Sequence, residues 1–128
     1  MTAIAWLSGS LDAALAQARA QQRPLFLYWG AVWCPPCNRV KAEIFAREEF
    51  VRGSAGVLCY HLDGDAPGAQ ALAARYRLRS YPTLVLYAPD GGEITRLPCE
   101  LDGELFVAAF DTALAVHAAG SSAAAALA

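Results

Sequence analysis

The sequence has 128 residues, of which 56% are hydrophobic and 17% charged, and its formal net charge is -2. This length and apolar content suffice for one domain with a single continuous core. Acids and bases are interspersed without a basic run of the kind that follows a phosphate backbone, so we expect no nucleic-acid partner.

The apolar runs are strand-sized and do not approach the roughly 20 residues that cross a bilayer, so we expect no membrane insertion. Residues 1–14 lack a basic segment followed by an apolar one, so they do not form a signal peptide. A cytosolic protein and an exported protein whose signal lies outside this sequence both remain open. Four cysteines are too few for a disulfide scaffold, so each needs its own explanation.

The first predicted element is an amphipathic helix that a serine at position 8 or 10 caps and that Pro24 ends. Its inward positions are Leu11, Ala14, Leu15 and Ala18. The run LFLYWGAVW, residues 25–33, is apolar without alternation. Such a run is typical of a strand that is covered on both faces at the centre of a parallel sheet.

Pro35 and Pro36 fit the first turn of a second helix, because the N–H groups they lack would have no intrahelical partner there. The run VLCYHLD, residues 57–63, predicts another buried strand. A third helical stripe follows Pro67 and consists of Ala69, Leu72, Ala73 and Tyr76.

From residue 83 onward, an apolar run, the turn residues 89–92 and the alternation at 94–97 predict an antiparallel hairpin with an edge strand. The inner side of the last helix is formed by Leu105, Phe106, Ala109, Phe110 and Ala113. Strands and helices in this order predict an α/β sandwich with a mixed sheet. The uncharged, alanine- and serine-rich residues 119–128 are interpreted as a flexible tail or the start of a linker, which leaves 1–118 as the domain.

Cys34 and Cys37 lie just after the first predicted strand, where a helix begins. We expect Cys34 at the exposed N-terminal tip of that helix, and Cys37 facing inward with Val40 and Ile44. Unpaired N–H groups and the helix dipole favour a thiolate at Cys34, and the thiolate is the form that attacks disulfides. The shielded Cys37 suits the role of resolving thiol.

The two prolines between the cysteines have no N–H to donate to the Cys34 sulfur, and no lysine or histidine lies between them. A moderately activated thiol in a reducing couple is therefore expected. Two structural interpretations remain open. An inert disulfide staple would close so few residues that it removes little chain entropy. A zinc site would need two further ligands, which the chain offers only as Cys59, His61, Cys99 and His117.

The motif WCPPC at 33–37 after a buried strand, with YPT at 81–83 before a later strand, resembles the thioredoxin superfamily. The likeness extends over nearly all of residues 4–117. The segments KAEIF and YPTLVLYAPDGGEITRLPCELDGELF are similar to bacterial thioredoxin-like domains, especially the periplasmic reductant-transfer type. The resemblance implies a three-layer α/β/α sandwich around a central mixed sheet, and it favours a periplasmic location over a cytoplasmic one.

The resemblance also implies site residues: Cys34 as nucleophile, Cys37 as resolving cysteine, and Pro82 as a cis-proline that faces their disulfide. A cis X-Pro bond turns the chain sharply and leaves the preceding backbone free to pair with an extended substrate. The other implied substrate-binding residues are Trp33, Pro35, Pro36, Tyr81 and Thr83. Neither a cofactor nor a metal is implied.

The sequence departs from thioredoxin at three positions. Tyr28 replaces a buried acid that usually assists proton transfer from the second cysteine, so that transfer must use water, Tyr28 or Glu43. Cys59 replaces a lysine, and Cys99 replaces a glycine beside the binding groove. We expect both to stay unpaired, because the thioredoxin-like strand order separates them by three strand positions, about 14 Å at ~4.8 Å per strand.

We therefore expect a monomeric thiol-disulfide oxidoreductase that reduces or isomerises disulfides in protein substrates and is regenerated by an external reductant protein. One alternative is a thioredoxin-fold binding module or chaperone without turnover, and another is a metallochaperone. Asp63 and Asp65 are interpreted as turn residues, since the calcium-loop spacing is missing. Ordinary packing is expected for His61, Trp6, Trp29, Tyr76 and Phe106.

Overall fold

The computed structural model describes residues 3–100 and 102–127. Its helices are α1 Leu11–Gln21, α2 Pro35–Val40, α3 Glu48–Gly53, α4 Ala69–Arg75 and α5 Gly103–Leu127, and a π-helical segment, Lys41–Phe45, continues α2. Its strands are β1 Leu25–Gly30, β2 Leu58–Asp63, β3 Thr83–Tyr87 and β4 Glu93–Leu97.

The four strands form one mixed sheet in the order β2-β1-β3-β4. β1 runs parallel to β2 and antiparallel to β3, and β3 pairs antiparallel with β4. All six residues of β1 are buried, as expected for a strand at the sheet centre. The prediction of an α/β sandwich with a mixed sheet and a terminal hairpin is confirmed.

Successive residues of β1 point to opposite faces and so divide the core into two layers. Leu25, Leu27 and Trp29 pack with the buried faces of α1 and α4. Phe26 and Tyr28 pack with α2, α3 and α5 on the other face. The sheet therefore lies between two helical layers, and the predicted three-layer arrangement is confirmed.

Two residues predicted to be inside lie at the surface. Leu105 is 56% exposed, because α5 turns Phe106 and Phe110 toward the sheet and places Leu105 about 100° from the first and about 140° from the second around the helix axis. Trp6 is 37% exposed: its backbone bridges to Cys59 on β2, and its ring covers the edge of the aromatic layer. Its position depends on this tertiary bridge, which a local apolar pattern does not encode.

The predicted boundary at residue 118 does not coincide with a helix end, because α5 continues to Leu127. The assignment of residues 119–128 as a flexible tail or linker stays a prediction, and residues 1, 2, 101 and 128 lie outside the described residues. In the part of the chain that is described, no helix has both the length and the apolar character that a bilayer crossing requires.

Cys59 and Cys99 are held apart by the strand order. Cys59 is a buried residue of β2, where burial raises the pKa of its thiol to about 12. Cys99 follows β4, which lies at the opposite edge of the sheet. We expect the native protein with an oxidised Cys34–Cys37 bridge to show two free thiols after denaturation without reductant, counted with a chromogenic disulfide. A count of zero would contradict this strand order.

Candidate active site

The pair Cys34 and Cys37 lies at the junction of β1 and α2. Cys34 is the N-cap of α2, with an extended backbone, and two prolines occupy the first helical positions as predicted. Its N–H donates to the carbonyl of Ala31 at 3.2 Å, and its carbonyl accepts the N–H of Asn38 at 3.1 Å. The side-chain amide of Asn38 donates to the Val32 carbonyl, so this side chain connects the first helical turn to the loop before it.

The prediction that Cys34 is exposed at the helix tip is wrong. Only 4% of Cys34 is exposed, and Cys37 is completely buried. Both side chains belong to the core cluster that contains Tyr28 and Ala31, while the preceding Val32 and Trp33 are more than half exposed. A helix tip is therefore not in itself an exposed position: here α2 packs against the sheet and buries its N-cap residue.

The surroundings of Cys37 keep it in the thiol form. Burial is the main cause of the raised pKa of Cys37, and a hydrogen bond from its thiol to Cys34 adds to the shift. The backbone of Ala31 and the side chain of Tyr28 act in the opposite direction with smaller effects. The Cys37 sulfur therefore keeps its proton.

A cavity of about 400 Å³ is lined in part by Pro36, which lies between the two cysteines. The Tyr81–Pro82 peptide bond is cis, which confirms the prediction, and the buried Pro82 also lines this cavity. The cavity is lined by Pro36, Arg39, Tyr81, Pro82, Cys99 and Glu100. A larger groove of about 940 Å³ lies between β4 and α5, and none of the predicted site residues lines it.

Trp33 is 61% exposed at the rim and is held by partners that come from distant segments. Its indole N–H donates to the Asp65 carboxylate at 3.0 Å, and its ring meets Tyr81 edge-on at 5.4 Å. Tyr81 also packs on Trp29 at 5.1 Å and accepts a hydrogen bond from Gln70 at 3.0 Å. The rim is thus a connected aromatic surface.

Asp65 was predicted only as a turn residue. The turn is confirmed, since the Asp65 N–H donates to the Asp63 carboxylate at 3.0 Å. Its contact with Trp33 joins segments 32 residues apart, and no local pattern in the sequence points to it.

Replacing Asp65 with alanine should release the Trp33 indole and raise KM for a protein disulfide about fivefold, with kcat nearly unchanged. An exposed charge-assisted hydrogen bond contributes about 1 kcal/mol, which is the basis for that figure. Steady-state reduction of insulin and Trp fluorescence anisotropy measure the effect. Asp12→Ala, an exposed acid on α1, is the control, and equal KM values for the two variants would contradict the assignment.

Of the remaining predicted site residues, one lies at the exposed rim and the other stabilises the chain below it. Pro35 is exposed beside the pair, whereas Thr83 is half-buried and its hydroxyl donates to the Ser80 carbonyl at 2.6 Å. Arg39, which the sequence interpretation missed, donates to the Cys99 carbonyl and to Glu43. Its bonds join α2 to the loop after β4, so it braces one side of the cavity.

The zinc interpretation has no geometric support in the described ranges 3–100 and 102–127. No three cysteine, histidine or acidic side chains there come together in a group that would hold a metal ion. Cys59 and Cys99 lie at opposite edges of the sheet, and the structure records all four cysteines as free thiols.

Comparisons with known proteins agree with this geometry. Residues 11–114 match the family described as a thioredoxin-like domain. A curated relative, thiol:disulfide interchange protein DsbD 2 of Pseudomonas aeruginosa, is 31% identical over 102 residues, which cover 77% of this chain and 17% of that protein. The chain therefore spans about one sixth of that relative's length.

Two solved structures have the same fold. A thioredoxin from Thermus thermophilus superposes with a TM-score of 0.74 at 26% identity, covering 87% of each chain. A structure titled DsbH oxidoreductase superposes with a TM-score of 0.76 at 22% identity, covering 88% of this chain and 85% of the other. The chain belongs to the thioredoxin-like family.

Proposed function

We propose that Cys34 and Cys37 are the redox couple of this domain and that it reduces disulfides in protein substrates. The Cys34 thiolate attacks one sulfur of a substrate disulfide, so that the substrate S–S bond breaks and a Cys34–substrate mixed disulfide forms. The first substrate sulfur leaves as a thiolate and takes up a proton. Cys37 then loses its proton and attacks the Cys34 sulfur, which forms the Cys34–Cys37 disulfide and releases the second substrate sulfur.

The observation that carries this proposal is the position of the Cys34–Cys37 pair at the start of α2, with Pro36 between the cysteines lining the same cavity as the cis-bonded Pro82. Cys34, the N-cap residue, follows the exposed Val32 and Trp33 and is itself 4% exposed, whereas Cys37 is completely buried. The exposed rim of Trp33, Pro35, Pro36 and Tyr81 offers an apolar surface to an extended substrate segment, with Thr83 supporting the turn from below.

Two electrons leave the domain with each substrate, so a reductant must restore the dithiol. We assign that role to an external dithiol protein in a periplasmic setting, with disulfide-containing proteins as substrates and the domain as a monomer. Support comes from the likeness to the DsbD relative, whose name describes thiol:disulfide interchange. The activity of any longer protein that contains this domain is part of the same proposal.

Insulin reduction with dithiothreitol as electron donor tests the proposal directly. Catalytic turnover, seen as accelerated precipitation of the insulin B chain, is the expected result. The same assay with the scrambled disulfides of a reporter enzyme separates isomerisation from plain reduction. Binding to reduced, unfolded insulin chains without turnover would instead assign the domain to the class of binding modules and would overturn the proposal.

A further inference from the structure

We propose that Tyr28 is a catalytic residue of this domain, whose hydroxyl donates a hydrogen bond to the Cys37 sulfur as it becomes a thiolate in the resolving step. The inference rests on the proposed function, because it concerns the second half of that reaction. Nothing in the Cys34–Cys37 motif itself provides this donor.

The Tyr28 hydroxyl lies inside the protein. Tyr28 is 1% exposed, and its buried hydroxyl oxygen has no hydrogen-bond partner among the described residues. Tyr28 and Cys37 belong to the same buried cluster, and each of the two groups shifts the pKa of the other. A buried polar group without a partner is uncommon and needs an explanation, and a partner that changes its charge during the reaction supplies one.

Gly30 makes this approach possible. Tyr28 and Gly30 lie on the same face of β1, and the tyrosine ring extends along the strand over the glycine. A Cβ atom at position 30 would overlap the Tyr28 hydroxyl and ring carbons. The absence of a side chain at Gly30 therefore leaves the space that the Tyr28 hydroxyl occupies.

The His61 ring stacks on the face of the Tyr28 ring and limits its movement. Tyr28 pairs with His61 across β1 and β2, and their rings stack at 4.4 Å with an angle of 20°. Burial lowers the pKa of His61, so its imidazole is neutral near neutral pH. The charged groups near this pair are Lys41, 6.0 Å from the Tyr28 ring centroid, and Asp63, which ends β2. His61 is thus a positioning residue.

Tyr28 is suited to donate a hydrogen bond to the Cys37 sulfur and not to act as a general base. Burial raises the pKa of Tyr28, so the hydroxyl keeps its own proton. The proton of Cys37 passes to the second substrate sulfur, which leaves as the Cys34–substrate bond breaks, and the Cys37 electron pair forms the new S–S bond. Glu43, the other side chain among the candidates, is half-exposed and ion-paired with Arg39 at 2.5 Å, so its carboxylate is engaged elsewhere.

Single-turnover reduction of a fluorescent peptide disulfide separates the two steps. In Tyr28→Phe, we expect the mixed disulfide to form at the wild-type rate and to resolve about tenfold to a hundredfold more slowly, since hydrogen bonds to charged groups are among the stronger ones. Tyr87→Phe is the matched control, because Tyr87 also has a buried hydroxyl without a partner but lies in the opposite core layer. It should leave both rates unchanged.

A second measurement does not depend on turnover. In a Cys34→Ser background, the pH at which Cys37 ionises, followed by thiolate absorbance, should rise when Tyr28→Phe is added and stay constant with Tyr87→Phe. If the wild-type protein does not reduce insulin, the proposed function itself is contradicted. A wild-type protein that turns over, with resolution and Cys37 ionisation both unchanged in Tyr28→Phe, would overturn this inference alone.

Discussion

Cys34→Ser should reduce disulfide turnover by about three orders of magnitude or more, because it removes the sulfur that attacks the substrate and no other group can form the mixed disulfide. Cys37→Ser should instead accumulate a stable mixed disulfide between Cys34 and the substrate, since the buried resolving thiol is missing. Insulin reduction measures the first effect. Non-reducing electrophoresis and intact mass measure the second.

The control for this pair is Cys59→Ala, which removes a buried thiol on β2 at the edge of the sheet. It should keep wild-type turnover with a modest loss of stability. Iodoacetamide should label Cys34 before Cys37 in the reduced, folded protein, although both are more buried than their positions in the sequence suggest. Equal labelling of the two, or a trapped complex in Cys34→Ser, would contradict the assigned roles.

Gly30→Ala should lower the free energy of unfolding by about 1–3 kcal/mol, the usual range for a group forced into a packed core. The added methyl would overlap the Tyr28 ring, which is enclosed by Phe45 and His61 and cannot move aside freely. Because the ring must shift away from Cys37, mixed-disulfide resolution should slow as well. Urea unfolding and the single-turnover assay measure these two effects.

A double-mutant cycle assigns the cause of that loss. In a Tyr28→Leu background, Gly30→Ala should cost clearly less stability, because the shorter side chain leaves room for the methyl group. Gly56→Ala is the control, since a Cβ atom there meets no atom within 4 Å. The explanation fails if Gly30→Ala costs the same with tyrosine and with leucine at position 28.

Several features of this protein follow from local sequence. The unbroken apolar run of β1 predicts burial on both faces, because a strand with one face in solvent needs alternating polar residues. The prolines after Cys34 predict a helix start there, since they suit only the first helical turn. The motifs at 33–37 and 81–83 resemble thioredoxin closely enough to imply the redox pair and the cis bond before Pro82, which the structure confirms as cis.

Other features depend on contacts between distant segments. The Trp33–Asp65 hydrogen bond depends on where the loop after β2 ends, and the stacking of Tyr28 on His61 depends on the register between β1 and β2. The burial of Cys34 likewise depends on how α2 packs on the sheet. Hydrophobic periodicity predicts which face of a segment is buried, but it does not specify which distant residue covers that face. At this active site, tertiary packing alone decides what surrounds the two sulfurs.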